Sequence, residues 1–267
     1  GTRLGGIYHN DGSGGFTLAT AIAGFDACSM AWGDVNNDGR LDLAATGVGS
    51  AGSTITRIYR NDGGGAFTSL SNTGVNGLKL GALAWGDYDR DGHQDLVVTG
   101  LSSVNNAYTW LYHNDGDNTF TLVSDTGLPD LGNSFAAWGD YNADGWPDLV
   151  LSGDVSGVGL TRVYRNNGNG TFTAVGGDLG LTRGSLAWGD FDNDGRLDYV
   201  ATGCPSDKCD VPPQTRVVRN LGGDIFSTVA NLTGVYEGSS TWGDFDSDGR
   251  LDLLITGNSG TNDATIL

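Results

Sequence analysis

Glu and Lys are almost missing from this chain. Glu237 is its one Glu, and Lys79 and Lys208 are its two Lys. Met occurs once and Pro five times in 267 residues. Long helices are built from Glu, Lys and Ala-rich blocks, so a mainly helical fold is excluded. Positive charge is equally scarce. Fourteen Lys and Arg stand against 32 Asp and Glu, a formal net charge of −18. No basic patch is left to neutralise phosphate, which excludes nucleic acid as a partner. No apolar run approaches the ~20 residues of a membrane helix, and Gly1–Asn10 carries no signal-peptide pattern. The signatures His-Glu-x-x-His, Gly-x-Ser-x-Gly and Gly-x-x-x-x-Gly-Lys are absent too, so the chain is not expected to be an enzyme itself. What abounds is Gly (46 residues) with Asp, Asn, Thr and aromatics, a turn-and-strand composition. A hydrophobic content of 38% is enough for a packed core.

The chain repeats itself. Trp-Gly-Asp begins at Trp32, Trp85, Trp138, Trp188 and Trp242, at intervals of 53, 53, 50 and 54 residues. Each copy is followed by an acidic turn and then an apolar run closed by Gly. Between them recurs Tyr8-His-Asn-Asp-Gly then Phe16-Thr, with later copies at Tyr59, Tyr112, Tyr164 and, degenerately, Val218. Asn-Asp-Gly between alternating apolar residues is a hairpin signal. Each repeat therefore offers four short strands, the pattern of a propeller blade. The expectation is an all-β chain, residues 1–267 as a single β-propeller domain of five ~53-residue repeats. It is either a closed five-bladed ring or part of a longer propeller. The repeated Trp is expected between blades. Four residues earlier stands a small residue (Cys28, Gly81, Ser134, Gly184, Gly238), read as a crowded inner-strand slot with Cys28 buried in it.

The acidic turn carries the chemistry. Its copies place ligand candidates at positions one, three, five, seven and nine: Asp34, Asn36, Asp38, Arg40 and Asp42; Asp87, Asp89, Asp91, His93 and Asp95; Asp140, Asn142, Asp144, Trp146 and Asp148; Asp190, Asp192, Asp194, Arg196 and Asp198; Asp244, Asp246, Asp248, Arg250 and Asp252. Gly fills position six each time (Gly39, Gly92, Gly145, Gly195, Gly249), where a left-handed backbone is needed. Carboxylates at one, three and five can converge, position seven can lend its carbonyl, and Asp at nine can close the shell. Such crowded carboxylates repel unless a cation joins them. A flexible oxygen-only set suits Ca²⁺ better than Mg²⁺. Zn²⁺ is disfavoured, because no Cys or His side chain is expected to join the cluster. About five Ca²⁺ are expected, in a structural role.

The copies Trp188-Gly-Asp-Phe-Asp-Asn-Asp-Gly-Arg-Leu-Asp198 and Tyr164-Arg-Asn-Asn-Gly-Asn-Gly-Thr-Phe-Thr173 resemble the FG-GAP/VCBS repeat family, the calcium-binding repeats of integrin α-subunit propellers and of secreted bacterial and fungal proteins. The resemblance covers essentially the whole chain. It implies a β-propeller with Ca²⁺ in the hairpin between the first two strands of a blade. Because no cell-adhesion partner domain accompanies the repeats, integrin-like ligand binding does not carry over.

A disulfide is expected between Cys204 and Cys209, and Asn169 and Asn231 head glycosylation sequons. With the scarcity of Lys, these place the protein outside the cell or at its surface. His9 and His113 replace Arg in the third strand and are expected to face solvent. The expected function is a binding, adhesion or scaffold module, its partner a protein or glycan at a propeller face, with self-assembly or neighbouring domains of a longer chain also open. A lectin-like propeller is the alternative, with Trp146 exposed beside a metal loop and Trp110 in the core. A propeller attached to a polysaccharide-degrading enzyme ranks below both.

Overall fold

The computed structural model describes residues 3–260 and 263–266. Among them there is no helix, and all regular structure is antiparallel β. The chain divides into two compact units, Gly1–Ser124 and Asp125–Leu267.

In the first unit, β1 (Leu4–Asn10) pairs with β2 (Phe16–Ala23) as a two-stranded sheet. Two four-stranded meanders follow: β3 (Asp26–Gly33), β4 (Asp42–Val48), β5 (Thr54–Gly63) and β6 (Ala66–Ser69), then β7 (Leu83–Gly86), β8 (Asp95–Leu101), β9 (Ala107–Asn114) and β10 (Phe120–Val123). The second unit holds β11 (Gly132–Gly139), β12 (Asp148–Val155), β13 (Val158–Asn166) and β14 (Phe172–Val175). Next come β15 (Leu186–Gly189), β16 (Asp198–Gly203), β17 (Gln214–Asn220) and β18 (Phe226–Leu232). Its last sheet has three described strands, β19 (Tyr236–Gly243), β20 (Asp252–Asn258) and β21 (Asp263–Ile266). As expected, first strands end on Trp-Gly and second strands start on the position-nine Asp; β6, β10 and β14 start at or beside Phe-Thr, while β18 starts on Phe226-Ser227.

Second strands β4, β8, β12 and β16 are covered on both faces, while β20 is only partly covered. Asp42–Gly47, Asp95–Gly100 and Asp198–Gly203 are buried throughout, so they read as continuous apolar runs rather than alternating ones. Two cores result. Val35, Ala44, Ile58, Leu78, Leu96 and Tyr112 belong to one. Tyr141, Val150, Val163, Leu181, Tyr199 and Val218 belong to the other.

Within each unit, the Trp of a later sheet seals the seam with the sheet before it. Trp85 Nε1 donates to Ala31 O (3.2 Å), Trp188 Nε1 to Ala137 O (3.2 Å) and Trp242 Nε1 to Ala187 O (3.1 Å). Each indole lies on the Gly of the preceding Trp-Gly, since a Cβ at Gly33, Gly139 or Gly189 would meet it at 2.6–2.9 Å. Trp32 departs from this pattern. It is 51% exposed, although, like Trp85 on Phe120, it keeps a tilted contact with Phe67 of its own sheet, ring centroids 6.1 Å apart.

The small residue before each Trp marks a β-bulge. Register slips at Ala27–Cys28, Asn133–Ser134 and Glu237–Gly238, with Gly47, Gly153 and Gly257 opposite. Ala27, Leu80, Asn133, Arg183 and Glu237, one per repeat, all have positive φ. That left-handed backbone costs each non-Gly residue ~1–2 kcal/mol. Hydrogen bonds between bulges of successive sheets offset it: Leu80 N donates to Ala27 O (3.1 Å), Arg183 N to Asn133 O (3.2 Å) and Glu237 N to Arg183 O (2.7 Å). The slot is crowded as expected. A Cβ at Gly81, Gly184 or Gly238 would meet a paired-strand carbonyl at 1.7–2.0 Å. Cys28, however, is exposed rather than buried. The bulge alone does not account for this, since Ser134 at the equivalent bulge is buried; Cys28 shares its exposure with Met30 and Trp32 at alternate positions of the same strand.

Cys204 and Cys209 form the expected disulfide, Cα atoms 5.2 Å apart. No helix of the described residues is long and apolar enough to cross a membrane.

Candidate metal centres

Five acidic loops join the first strand of a sheet to the second, and all fold alike. The position-one carboxylate accepts from the amides of positions five and six. For Asp34 these are Asp38 N (3.1 Å) and Gly39 N (2.8 Å). Asp87, Asp140, Asp190 and Asp244 repeat the pair within 2.8–3.1 Å. The position-five carboxylate accepts from the amide of position seven at 2.8–3.0 Å in every copy. Two left-handed residues make this coil possible: Gly at six and, unanticipated, position four, occupied by Asn37, Arg90, Ala143, Asn193 and Ser247.

Position nine is where loop meets core. Asp42, Asp95, Asp148 and Asp198 are fully buried, while Asp252 is half-buried. Their Oδ1 accepts the amide of an Asn on the third strand: Asn61 (2.6 Å), then Asn114, Asn166 and Asn220 (2.8 Å each). The amide of position two supplies a second donor at Asp42 (2.9 Å), Asp95 (3.0 Å) and Asp198 (3.3 Å). Sequence reasoning missed the third-strand Asn, although its signal was visible as the last residue of the recurring Tyr-(Arg/His)-Asn. Its side chain also ties sheets together. Asn114 Nδ2 donates to Val35 O (2.9 Å) and Asn220 Nδ2 to Tyr141 O (2.8 Å).

The loops bring carboxylates to single points. One oxygen each from Asp87, Asp89 and Asp95, from Asp190, Asp192 and Asp194, and from Asp244, Asp246 and Asp248 lie within 4.8 Å of one another. Asn36 and Asn142 occupy position three of the first and third loops, and their Nδ2 donates to Asp38 (2.9 Å) and Asp144 (2.8 Å). Asp148 Oδ2 and Asp192 Oδ1 are buried with no hydrogen-bond donor. A buried carboxylate oxygen without a donor fits a cation, so several clusters can hold a metal ion.

Electrostatics agree. Burial pushes Asp95 up to about 7, with the Asp89 charge adding to it and the Asn114 and Tyr88 amides opposing it. Burial, aided by Asp144 and Asp140, likewise takes Asp148 up to about 7. Burial lifts Asp198 to about 6 and raises Asp42. At Asp38 partial desolvation is outweighed by hydrogen bonds from Asn36 and Arg40 and by the Arg40 and Arg60 charges, which hold it below the usual carboxylate range. Position-seven side chains supply part of this balance. Arg40, Arg196 and Arg250 pair with Asp38, Asp194 and Asp248. His93 lies over Gly116, and Trp146 is half-buried against Gly168 rather than exposed. Trp110, half-buried, stacks on Tyr108 with centroids 4.8 Å apart.

The third strand also contributes cations, against expectation. Arg219 Nε lies 2.6 Å from Asp192 and its Nη2 3.0 Å from Asp194. His113 is half-buried rather than fully facing solvent. Its Nδ1 stands 3.1 Å from Asp89 Oδ2 and 3.4 Å from Asp95 Oδ1, so a His does join one cluster. His113 is on the face of β9 that looks at the loop, because Tyr112 beside it is committed to the core. His9 is exposed, as are the sequon residues Asn169 and Asn231.

Comparison with known proteins places these features. The FG-GAP-like repeat family matches residues 46–98, 99–151 and 140–201. The human T-cell immunomodulatory protein is 28% identical over 155 residues, covering 48% of this chain and 25% of its own length. This chain thus spans only a quarter of that relative. A crystal structure of the rhamnogalacturonan lyase YesW superposes over 98% of this chain and 51% of its own, with TM-score 0.54 and 14% identity, a likeness of fold alone. The V. cholerae biofilm matrix protein Bap1 superposes with TM-score 0.45 and 16% identity over 98% of this chain and 40% of its own. With sheet, loop and sequence repeats in step and the family matched over more than half of its length, the chain belongs to the FG-GAP-like repeat family.

Proposed function

We propose that the repeats are blades of a β-propeller that binds Ca²⁺ in its first-to-second-strand loops and serves outside the cell as a binding, adhesion or scaffold module. The convergence of three carboxylate oxygens within 4.8 Å, repeated in the second, fourth and fifth loops, carries this reading. Oxygen donors on a flexible turn suit Ca²⁺, which accepts six to eight ligands in loose geometry. The role of the ion is structural. It joins the loop to the buried position-nine Asp and so to the third strand, and binding the folded form alone adds stability by mass action. The disulfide is at home in an oxidising compartment. No catalytic role is proposed.

The test is thermal unfolding of the chain in excess chelator and in millimolar Ca²⁺. The melting temperature is expected to fall with chelation and recover on adding Ca²⁺. Coincident melting curves would sink the proposal. A carbohydrate-binding role is the second reading, favoured by the half-exposed indole of Trp146 against the Gly168 hairpin. A glycan array probed in Ca²⁺ decides it, since silence across the array removes that role.

A further inference from the structure

The connection between second and third strands varies most from sheet to sheet. In the first unit it turns back on itself, Gly49 N donating to Ser53 O (3.0 Å) and Ser102 N to Asn106 O (2.8 Å). Between β16 and β17 it is longer, holds Pro205, Pro212 and Pro213, and binds to its neighbours instead. Thr182 and Cys204 exchange backbone hydrogen bonds of 2.8 and 2.9 Å. Gly159 N donates to Pro205 O (3.0 Å) and Asp207 N to Gly157 O (3.3 Å), which sets Ser206 as an antiparallel bridge to Val158 of β13. Asp207 O also accepts from Arg183 Nη1 (2.7 Å), while Arg183 Nη2 pairs with Glu237. Glu237 N donates back to Arg183 O (2.7 Å), and the guanidinium lies 6.0 Å from the centroid of the Tyr236 ring. One loop thus touches β13, the Arg183 bulge and, through Arg183, β19: three successive sheets of the second unit.

The Cys204–Cys209 disulfide closes this loop at its neck. Cys204 is fully buried, whereas Cys209 is half-buried between the exposed Lys208 and Asp210. An incoming thiolate therefore meets Cys209 first. Cys209 has φ +48, a left-handed backbone that non-Gly residues avoid. With the bond open, nothing covalent keeps Cys209 there, and Asp207 is free to leave Gly157 and Arg183. We propose that the Cys204–Cys209 loop is a redox-operated clasp. Closed, it holds Arg183 on Glu237 and fastens β19 to the sheet before it; opened by a dithiol reductant, it releases that contact. A thiolate of the reductant attacks Cys209 Sγ, the S–S bond breaks, and Cys204 leaves as a thiolate that takes up a proton. The second thiol of the reductant then displaces Cys209, and the reductant departs as its own disulfide. The remainder of the seam stays in place, because Trp242 Nε1 on Ala187 O and Ser185 Oγ on Ser240 Oγ (2.7 Å) do not involve the loop. Reduction therefore loosens one end of the seam without unfolding the chain. No bound cation takes part.

The experiment is NMR-detected amide exchange on the whole chain, oxidised and in dithiothreitol, with free thiols counted by alkylation and mass. Wild type is compared with C204S/C209S and with C28S. Reduction is expected to speed exchange at the Gly159, Asp207 and Glu237 amides at least about tenfold, with recovery on reoxidation by glutathione disulfide. Trp188 and Trp242 should keep their rates. C204S/C209S should exchange fast with or without reductant, and C28S should follow wild type. Glu237 and Gly159 rates unchanged once all three thiols are free would overturn the clasp, since hydrogen bonds alone would then hold the loop. Protection lost throughout the chain would overturn it too, by making the bond a staple of the entire fold.

Discussion

At Asp198 one carboxylate does two things: it anchors the Asn220 and Phe191 amides, and it lends charge to the neighbouring cluster. Asn at this position keeps one acceptor oxygen and gives up the charge. D198N is therefore expected to fold and to bind one Ca²⁺ fewer than wild type in a calorimetric titration. Residues in the bulges answer to sterics instead. Ala at Gly184 would put a methyl 1.7 Å from Thr202 O, whereas Ala at Gly92 meets nothing within 4 Å and pays only for φ +91. Denaturant unfolding should show G184A losing about 2–3 kcal/mol and G92A about 1–2 kcal/mol. Equal losses would contradict the bulge geometry. Cys28 is exposed and the other two cysteines are joined, so native protein should present one thiol to a disulfide-exchange reagent. These residue-level features were the least legible in the sequence. The ligand Asp spacing was plain because carboxylates repeat at fixed intervals. The exposure of Cys28 was not, because it depends on whether a neighbouring sheet covers that face of the strand, as it does at Ser134 and does not at Met30 and Trp32, and the sequence of the repeat does not record it.

Among elements, the seam between sheets depends on the indole set on a Gly. W188A removes the hydrogen bond to Ala137 O and the packing on Gly139, a large-to-small change expected to cost about 3–5 kcal/mol. W32A, at a side chain already 51% exposed, should cost far less in the same assay. Loop and third strand are coupled through the position-nine Asp, whose protonation depends on pH. Asp95 and Asp148 sit near 7 and Asp198 near 6 in the folded chain, against about 3.9 when unfolded. Raised folded values mean the metal-free fold holds protons that the unfolded chain releases. The stability they give is complete below pH ~4 and is lost as pH climbs through 6 to 7. In chelator the melting temperature should therefore fall from pH 5 to pH 8, and with Ca²⁺ in place of the protons that decline should shrink. Four strands per repeat and the loop between the first two could be read from Trp-Gly-Asp and the Asn-Gly hairpins, since both are local signals. The third-strand Asn and His113 could not be assigned from spacing alone. Their partners lie about 20 residues away, and only the strand register brings them to the loop.

For the whole molecule, charge is the governing quantity. A net −18 on 267 residues is self-repelling, and five Ca²⁺ would leave −8. The fold likeness to a lyase at 14% identity is carried by the repeated sheets and brings no chemistry with it. What the repeats have in common is the oxygen cage, so the ion itself is the quantity to observe. Crystals grown in Ca²⁺ and measured for anomalous scattering test this most directly. The expected result is a peak in each of the five loops, about 2.3–2.6 Å from the position-one, -three and -five oxygens. Loops filled only by water, with their carboxylates turned apart, would contradict it.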